Sequence, residues 1–244
     1  MKEDTTRIRQ EAPATIRSMF DSIAPTYDLL NHLLSFGMDI RWRKKAIRFC
    51  EGKKNGTFLD IAAGSGDLSL ALLALAPKQI VATDFAVRML EVFRGKIGRR
   101  TDAGAISLAS CDAHRLPFRD ASFDGTFVAF GIRNFADRPR ALREMLRVLK
   151  PGGRSVILEL TKPESPVAAQ LYGIHSGVVL PLLGALISRH NDAYRYLPQS
   201  IAAFPTNGEF CRMMSQAGFL DVEAHPLTFG AATIFTGVRT SAAG

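Results

Sequence analysis

Three aspartates, each at or near the end of an apolar run, carry the chemistry that can be read from this chain. Asp60 lies in Phe58-Leu-Asp-Ile-Ala-Ala63, just ahead of Gly64-Ser65-Gly66. Asp84 ends the run Gln79 to Thr83, eighteen residues past Gly66, and Asp112 follows the run Ile106 to Ala109. A Gly-Ser-Gly turn presents free amides and lets the backbone pass close to a ligand with no Cβ in the way. A dinucleotide loop would place a third glycine where Ser69 stands. Asp60, four residues before Gly64, would oppose a pyrophosphate but suits an ammonium or sulfonium group. Asp84 is placed to accept from both ribose hydroxyls, and Asp112 to accept from an adenine amino group. Each piece has a plainer reading, as turn chemistry or as a helix cap. Their order and spacing together fit S-adenosylmethionine.

The surrounding pattern supplies the elements that must hold these groups. Strands are expected near 57–63, 79–83, 105–110, 123–130 and 154–160, with helices at 67–75, 86–97 and 139–149 between them. Such alternation predicts an α/β fold, a Rossmann-like, mainly parallel sheet with helices on both faces. Lys150-Pro-Gly-Gly153 reads as the stop between a helix and the fifth strand. Asp221 to His225 and Thr233 to Arg239 read as two last strands, paired as an antiparallel edge hairpin. Residues 15–49 read as helices broken near Gly37, with Met19, Phe20, Ile23, Tyr27, Leu30 and Leu33 at helical spacing. The chain is therefore expected to be one structural domain: an N-terminal helical cap over 1–50 and a sheet domain over 51–244 that carries a helical lid insertion at about 163–205.

The 244 residues are 47% hydrophobic, enough for one substantial core. The start of the chain is polar, without a signal or anchor, so a cytoplasmic location is expected. Cys50, Cys111 and Cys211 are odd in number and lack CxxC spacing, which argues against a disulfide framework or a zinc site. A net charge of +8, with clusters at Arg41 to Lys45 and Arg94 to Arg100, suits an anionic partner or surface; a solvated helix face is the plainer reading of either cluster. Val167 to Ile187 carries no formal charge, yet a single span there would split one sheet across a bilayer. It reads as a lid whose apolar surface could meet lipid.

Three blocks of the chain resemble the menaquinone and ubiquinone biosynthesis C-methyltransferases, the UbiE/MenG family. The first is Phe20-Asp-Ser-Ile-Ala-Pro-Thr-Tyr-Asp-Leu-Leu-Asn31. The second joins Asp112, Leu116-Pro-Phe118, Ser122-Phe-Asp124, Phe130-Gly-Ile-Arg-Asn134 and Arg143 to Gly153. The third is Ala193-Tyr-Arg-Tyr-Leu-Pro-Gln-Ser-Ile201 with Phe204-Pro205, Met213-Met214 and Ala217-Gly-Phe219. The resemblance spans about residues 15–239. It implies a class I, seven-stranded methyltransferase sheet with an antiparallel last strand, S-adenosylmethionine as methyl donor, and a polyprenylated hydroquinone as acceptor. Carried over residue by residue, cofactor contacts fall on Ser65, Asp84, Asp112, Ala113 and Ala129, with Phe85 beside Asp84 counted among them. Ser65 stands where the family usually has threonine, Asp39-Ile40 where it commonly has His-Arg, and Phe235 where a histidine is common. The last three positions are expected to touch acceptor or lipid.

Methylating a ring carbon needs no metal, because the sulfonium already carries an activated methyl group. The acceptor hydroxyl must lose its proton, so that the charge of the phenolate is shared with the ortho carbon that attacks. Arg133 and Asn134 fall beyond the fourth strand, where acceptor groups lie in parallel sheets. Arg133 is expected to stabilise the phenolate and Asn134 to orient the ring, an ion pair with Asp137 being the alternative for Arg133. Tyr172 and Tyr194, with His175 and Tyr196, are further candidates for the acceptor pocket or proton path. The expected acceptor is demethylmenaquinol, with the ubiquinol precursor 2-polyprenyl-6-methoxybenzoquinol as the alternative. Peripheral membrane contact and a homo-oligomer are compatible with it. A nucleic-acid methyltransferase would suit the charge, but Phe130-Gly-Ile-Arg-Asn134 stands in place of Asn-Pro-Pro-Tyr/Phe, so no nucleic-acid partner is expected. A non-catalytic subunit would bind the cofactor without turnover.

Overall fold

The first strand of the fold draws on Phe58 to Ala63, an apolar run broken only by Asp60, as expected of a parallel strand covered on both faces. A computed structural model describes residues 13–24, 28, 31–32, 35–163 and 191–241. Helix α1 (Pro13–Ile23) and α2 (Met38–Arg48) precede the sheet. Gly37, at φ 71, sits immediately before α2, at the break expected from the sequence. Then follow β1 (Thr57–Ile61), α3 (Asp67–Leu72) with a 3-10 turn at Leu73–Leu75, β2 (Gln79–Asp84), α4 (Val87–Ile97), β3 (Ile106–Ser110) and β4 (Phe123–Ala129). A 3-10 turn at Ile132–Asn134 leads to α5 (Arg138–Val148) and β5 (Leu149–Leu160). The described chain closes with α6 (Asn191–Ala203), α7 (Asn207–Gln216), β6 (Leu220–Leu227), a 3-10 turn at Thr228–Gly230 and β7 (Ala232–Val238).

These strands form one seven-stranded sheet in the order β3-β2-β1-β4-β5-β7-β6. Neighbours from β3 to β5 are parallel, and β7 is antiparallel to both β5 and β6. The expected class I sheet and its terminal hairpin are thus present, with β6 at the edge. Alternate strand residues supply two cores. Phe58, Phe127 and Ile234 pack with Trp42, Leu72 and Phe93 on one face. Leu59, Val128 and Phe235 pack with Leu142, Met145 and Phe210 on the other. Helix α7 is opened by a capping box in which Thr206 and Glu209 satisfy one another's backbone N–H groups.

One boundary differs from the sequence reading. Lys150 to Gly153 does not stop one element and start another, because it lies inside β5. Leu149 pairs with Phe123 and Arg154 with Gly125, so the four residues between bulge out of a strand whose pairing resumes on both sides. The proposed lid over Val167 to Ile187 lies outside the described residues. Among the described residues, no helix is long and apolar enough to cross a membrane.

Candidate active site

The carboxyl ends of β1, β2, β3 and β4 enclose one cavity with about 950 Å³ of empty space, the solvent at its open mouth included. Its walls include Ala62 and Gly64 from the first turn, Asp84 at the end of β2 with Phe85 after it, and Asp112 and Ala113 after β3. Ala129, the last residue of β4, and Asn134 beyond it complete the cavity. The three strand ends named in the sequence therefore converge.

Asp84 organises the turn. Its Oδ2 accepts the Gly64 N–H at 2.8 Å and its Oδ1 the Ala86 N–H at 2.7 Å. Burial raises its pKa, against the pull of the backbone N–H groups of Ala86, Gly64 and Phe85. The Phe85 ring forms part of the rim, with the Arg17 guanidinium 5.3 Å from its centroid. Asp112 holds the other end: its Oδ1 accepts from the His114 N–H at 2.9 Å and pairs with His114 Nδ1 at 2.6 Å. Burial pushes the Asp112 pKa up, but the His114 backbone and ring outweigh it and hold the carboxyl below its ordinary value.

The two glycines of the turn have different duties. Gly64 faces the cavity, whereas Gly66, at φ +89, is pressed against Phe93, whose ring lies 2.2 Å from where a Cβ would stand. Gly66 thus serves helix packing rather than ligand approach. Ser65 is buried, and its hydroxyl donates to Asp28 of the N-terminal segment, which turns it away from the cavity expected for it. Asp60 lies beneath the turn, fully buried, with its Oδ2 accepting from Ser69 Oγ at 2.5 Å. Its Oδ1 has no hydrogen-bond partner among the described residues. Burial pushes the Asp60 pKa up to about 7, against the Ser69 hydrogen bond and the Arg43 charge.

Below this turn Lys96 bridges Asp28 at 2.6 Å and Asp67 at 2.8 Å, while His32 and Arg43 bind Asp39. His32, Asp39 and Asp67 converge closely enough to hold a cation. Both of its carboxylates already face Arg43 or Lys96, so the cluster is an ion-pair clasp between cap and turn.

Beyond β4 the chain turns through Phe130 at φ 59. Asn134 lines the cavity, and its Oδ1 accepts the Tyr196 hydroxyl at 2.9 Å. Arg133 does not join it there. Its Nη1 lies 2.8 Å from Glu159 Oε1, and its backbone N–H donates to Glu159 Oε2 at 3.1 Å. The side chain is buried, and the ion pair alternative is met by Glu159 instead of Asp137. The reason is positional: Glu159, near the end of β5, is the acid next to a turn that points Arg133 inward. Tyr194 belongs to α6, its side chain lying outside the described residues, as do Tyr172 and His175.

A sequence profile of the ubiE/COQ5 methyltransferase family matches residues 6–239. The chain belongs to the ubiE/COQ5 methyltransferase family. It is 45% identical to the ubiquinone/menaquinone biosynthesis C-methyltransferase UbiE of Geobacter sulfurreducens, over 92% of this chain and 88% of that one. It is 47% identical to the demethylmenaquinone methyltransferase of Thermus thermophilus, over 91% of this chain and all, 100%, of that one. Its fold matches a SAM-dependent methyltransferase structure from Thermotoga maritima with a TM-score of 0.64 at 18% identity, covering 91% and 99% of the two chains.

Within this ubiE/COQ5 family member, the positions where the sequence departs from the family pattern occupy different places. Phe235 is fully buried in the centre of β7, its ring 4.7 Å from that of Phe210. Contact with acceptor or lipid is thus corrected to core packing. Asp39 is also buried, its pKa pushed up by burial but lowered on balance by the Ser35 hydroxyl and Arg43. Ile40 alone of the three is exposed.

His114 is a cavity residue that sequence reasoning missed. Its Nε2 accepts the Asp137 N–H at 3.1 Å, so the ring is held in its Nδ1–H form with both nitrogens engaged. The available signal was its position two residues past Asp112.

Proposed function

We propose that this family member transfers a methyl group from S-adenosylmethionine to a ring carbon of a polyprenylated hydroquinone, with demethylmenaquinol as the leading acceptor. The convergence of Gly64, Asp84, Asp112 and Asn134 on one cavity carries this reading. The names borne by the Geobacter and Thermus relatives support the quinone class.

The residues present fit such a donor. Asp84 keeps its turn-holding hydrogen bonds and offers its remaining lone pairs to ribose hydroxyls. Asp112, fixed on one oxygen by His114, leaves the other for an adenine amino group. Ile61, Met89 and Ala113 give an apolar wall for a flat base. Asp60, buried beneath the turn with its Oδ1 unpartnered, provides negative potential under the cationic part of the ligand when it is ionised. When bound, S-adenosylmethionine supplies an activated methyl group on a sulfonium.

Acceptor handling falls to the other side of the cavity. Asn134, held by Tyr196, orients a ring hydroxyl, so that the ortho carbon is presented to the methyl group and water is kept away. Arg133 acts as a positioning residue: paired to Glu159, it fixes the turn that aims Asn134. The acceptor's prenyl tail requires a lipid phase, so catalysis occurs beside a membrane surface.

The reading is tested by supplying labelled S-adenosylmethionine with reduced short-chain demethylmenaquinone and, separately, with the 6-methoxybenzoquinol precursor. Label in the naphthoquinol supports the leading acceptor, and label in the benzoquinol alone replaces it. Label in neither, with cofactor bound, overturns the acceptor class.

A further inference from the structure

The exposed apolar side chains gather at one edge. Among the described residues, the exposed large hydrophobics are Phe36, Ile40, Phe85, Val87, Leu220 and Phe229. Leu220 starts β6, at the amino end of the parallel direction. The others belong to the carboxyl edge, where the cavity opens. Phe85 and Val87 follow β2. Because β7 is antiparallel to both neighbours, β6 runs with β1–β5, and the turn carrying Phe229 leaves from that same edge.

Helix α2 stands with its first turn there. Trp42 Nε1 donates to Thr228 Oγ1 at 3.0 Å, and the Thr228 hydroxyl reaches Met38 Sδ at 3.7 Å. At the far end, Arg154, where the β4–β5 pairing resumes after the bulge, donates to the Phe49 carbonyl at 3.2 Å. Phe36 and Ile40, before and in the first turn of α2, therefore belong to the same carboxyl edge as Phe229, which is 81% exposed. Phe36, Thr228 and Phe229 all take left-handed backbone at φ 50, 46 and 56, a conformation that costs energy in non-glycine residues and points to a use for what it displays.

Charge completes the surface. The exposed arc of α2 carries Ile40, Arg41, Lys44, Lys45 and Arg48, while Asp39, its single acid, is turned inward onto Arg43. At about 1.5 Å rise per residue, Lys44 and Lys45 stand roughly 6–8 Å below Ile40. This spacing matches apolar tips in the acyl boundary and cations among headgroups.

We propose that this carboxyl edge docks on an anionic lipid surface, with Ile40 and Phe229 inserted and Arg41, Lys44 and Lys45 against lipid phosphates. The inference rests on the reading of a lipid-tailed acceptor, whose ring enters the cavity while its tail stays in the bilayer. Docking by this edge brings the cavity mouth to the membrane.

The test is co-sedimentation of the full chain with phosphatidylcholine vesicles with and without phosphatidylglycerol. The parent is expected to partition onto the anionic vesicles and to leave them as salt rises. Ile40→Ser with Phe229→Ser, and separately Arg41→Glu with Lys44→Glu, should each lower the partition coefficient by about tenfold or more. Phe229→Trp should shift its emission to the blue on anionic vesicles and be quenched by brominated acyl chains. Turnover of a short-chain acceptor in buffer should not change in these variants, while turnover of a long-chain acceptor in vesicles falls with partition. Unchanged partition in both double variants, equal binding to neutral vesicles, or binding to RNA in place of vesicles overturns the proposal. Failure of the parent to methylate any short-chain hydroquinone would instead strike the acceptor reading, leaving vesicle partition as the separate measure of the surface.

Discussion

Arg133 and Glu159 form a buried ion pair, Nη1 to Oε1 2.8 Å, with side chains 6% and 0% exposed. Glu159 also accepts the Arg133 and Leu160 N–H groups, so the pair ties the end of β5 to the turn that carries Asn134. Arg133→Met strands a buried carboxylate and is expected to cost about 3–5 kcal/mol in urea unfolding. Arg133→Met combined with Glu159→Leu should recover much of that stability, because no charge is left unpaired. Full stability with lost turnover in Arg133→Met would instead place the guanidinium on the acceptor.

Asp84 holds two backbone N–H groups as well as the proposed ribose contacts. An asparagine there has one acceptor oxygen and turns an amino group on the second N–H. Asp84→Asn should weaken binding of S-adenosylhomocysteine by about ten- to a hundredfold in calorimetry, a loss of roughly 1.5–3 kcal/mol. Unchanged affinity would remove Asp84 from the cofactor site.

Gly66 meets Phe93 where a side chain would begin. Gly66→Ala should destabilise the fold by about 1–3 kcal/mol, from left-handed strain and overpacking together. Trimming the partner with Phe93→Leu should make the double variant more stable than the sum of the single losses predicts. Additive losses in thermal melts would mean that the two residues do not press on one another.

Asp60 gives the stability curve a definite slope. Its pKa is pushed up to about 7 by burial, while in the unfolded chain it is expected near 3.9. Between those values the folded protein holds a proton that the unfolded chain has released. This contribution is therefore full below about pH 4, is lost as pH rises towards about 7, and is flat above it. Asp60→Asn should flatten that part of the curve, which a series of urea melts across the window would reveal. An unchanged slope would assign the titration elsewhere.

The strand ends were legible because a parallel strand buried on both faces must be a continuous apolar run, and an acid interrupting or closing such a run stands out. Asp84 and Asp112 were found in this way. The partners of Arg133 and Ser65 were not legible, since Glu159 and Asp28 are distant in sequence and meet them only through the fold. Local signals also misled where tertiary pairing overrode them. The Pro-Gly-Gly segment within Lys150 to Gly153 carries every mark of a stop, yet the pairing of Leu149 and Arg154 with β4 on either side of it keeps it within β5. Gly66 looked like a ligand glycine, although Phe93, on α4, is what requires it. Phe235 shows the limit of motif comparison, since its place in the core is set by Phe204 and Phe210.

The most direct test is the site of methylation itself. S-adenosylmethionine bearing a carbon-13 methyl group is incubated with the protein and reduced short-chain demethylmenaquinone, and the product is read by carbon NMR. The expected result is one new aryl C–CH₃ signal and release of S-adenosylhomocysteine in equal amount, both lost in Asp84→Asn. An O–CH₃ signal, or cofactor binding with no labelled quinol, would contradict the assignment of this cavity to carbon methylation.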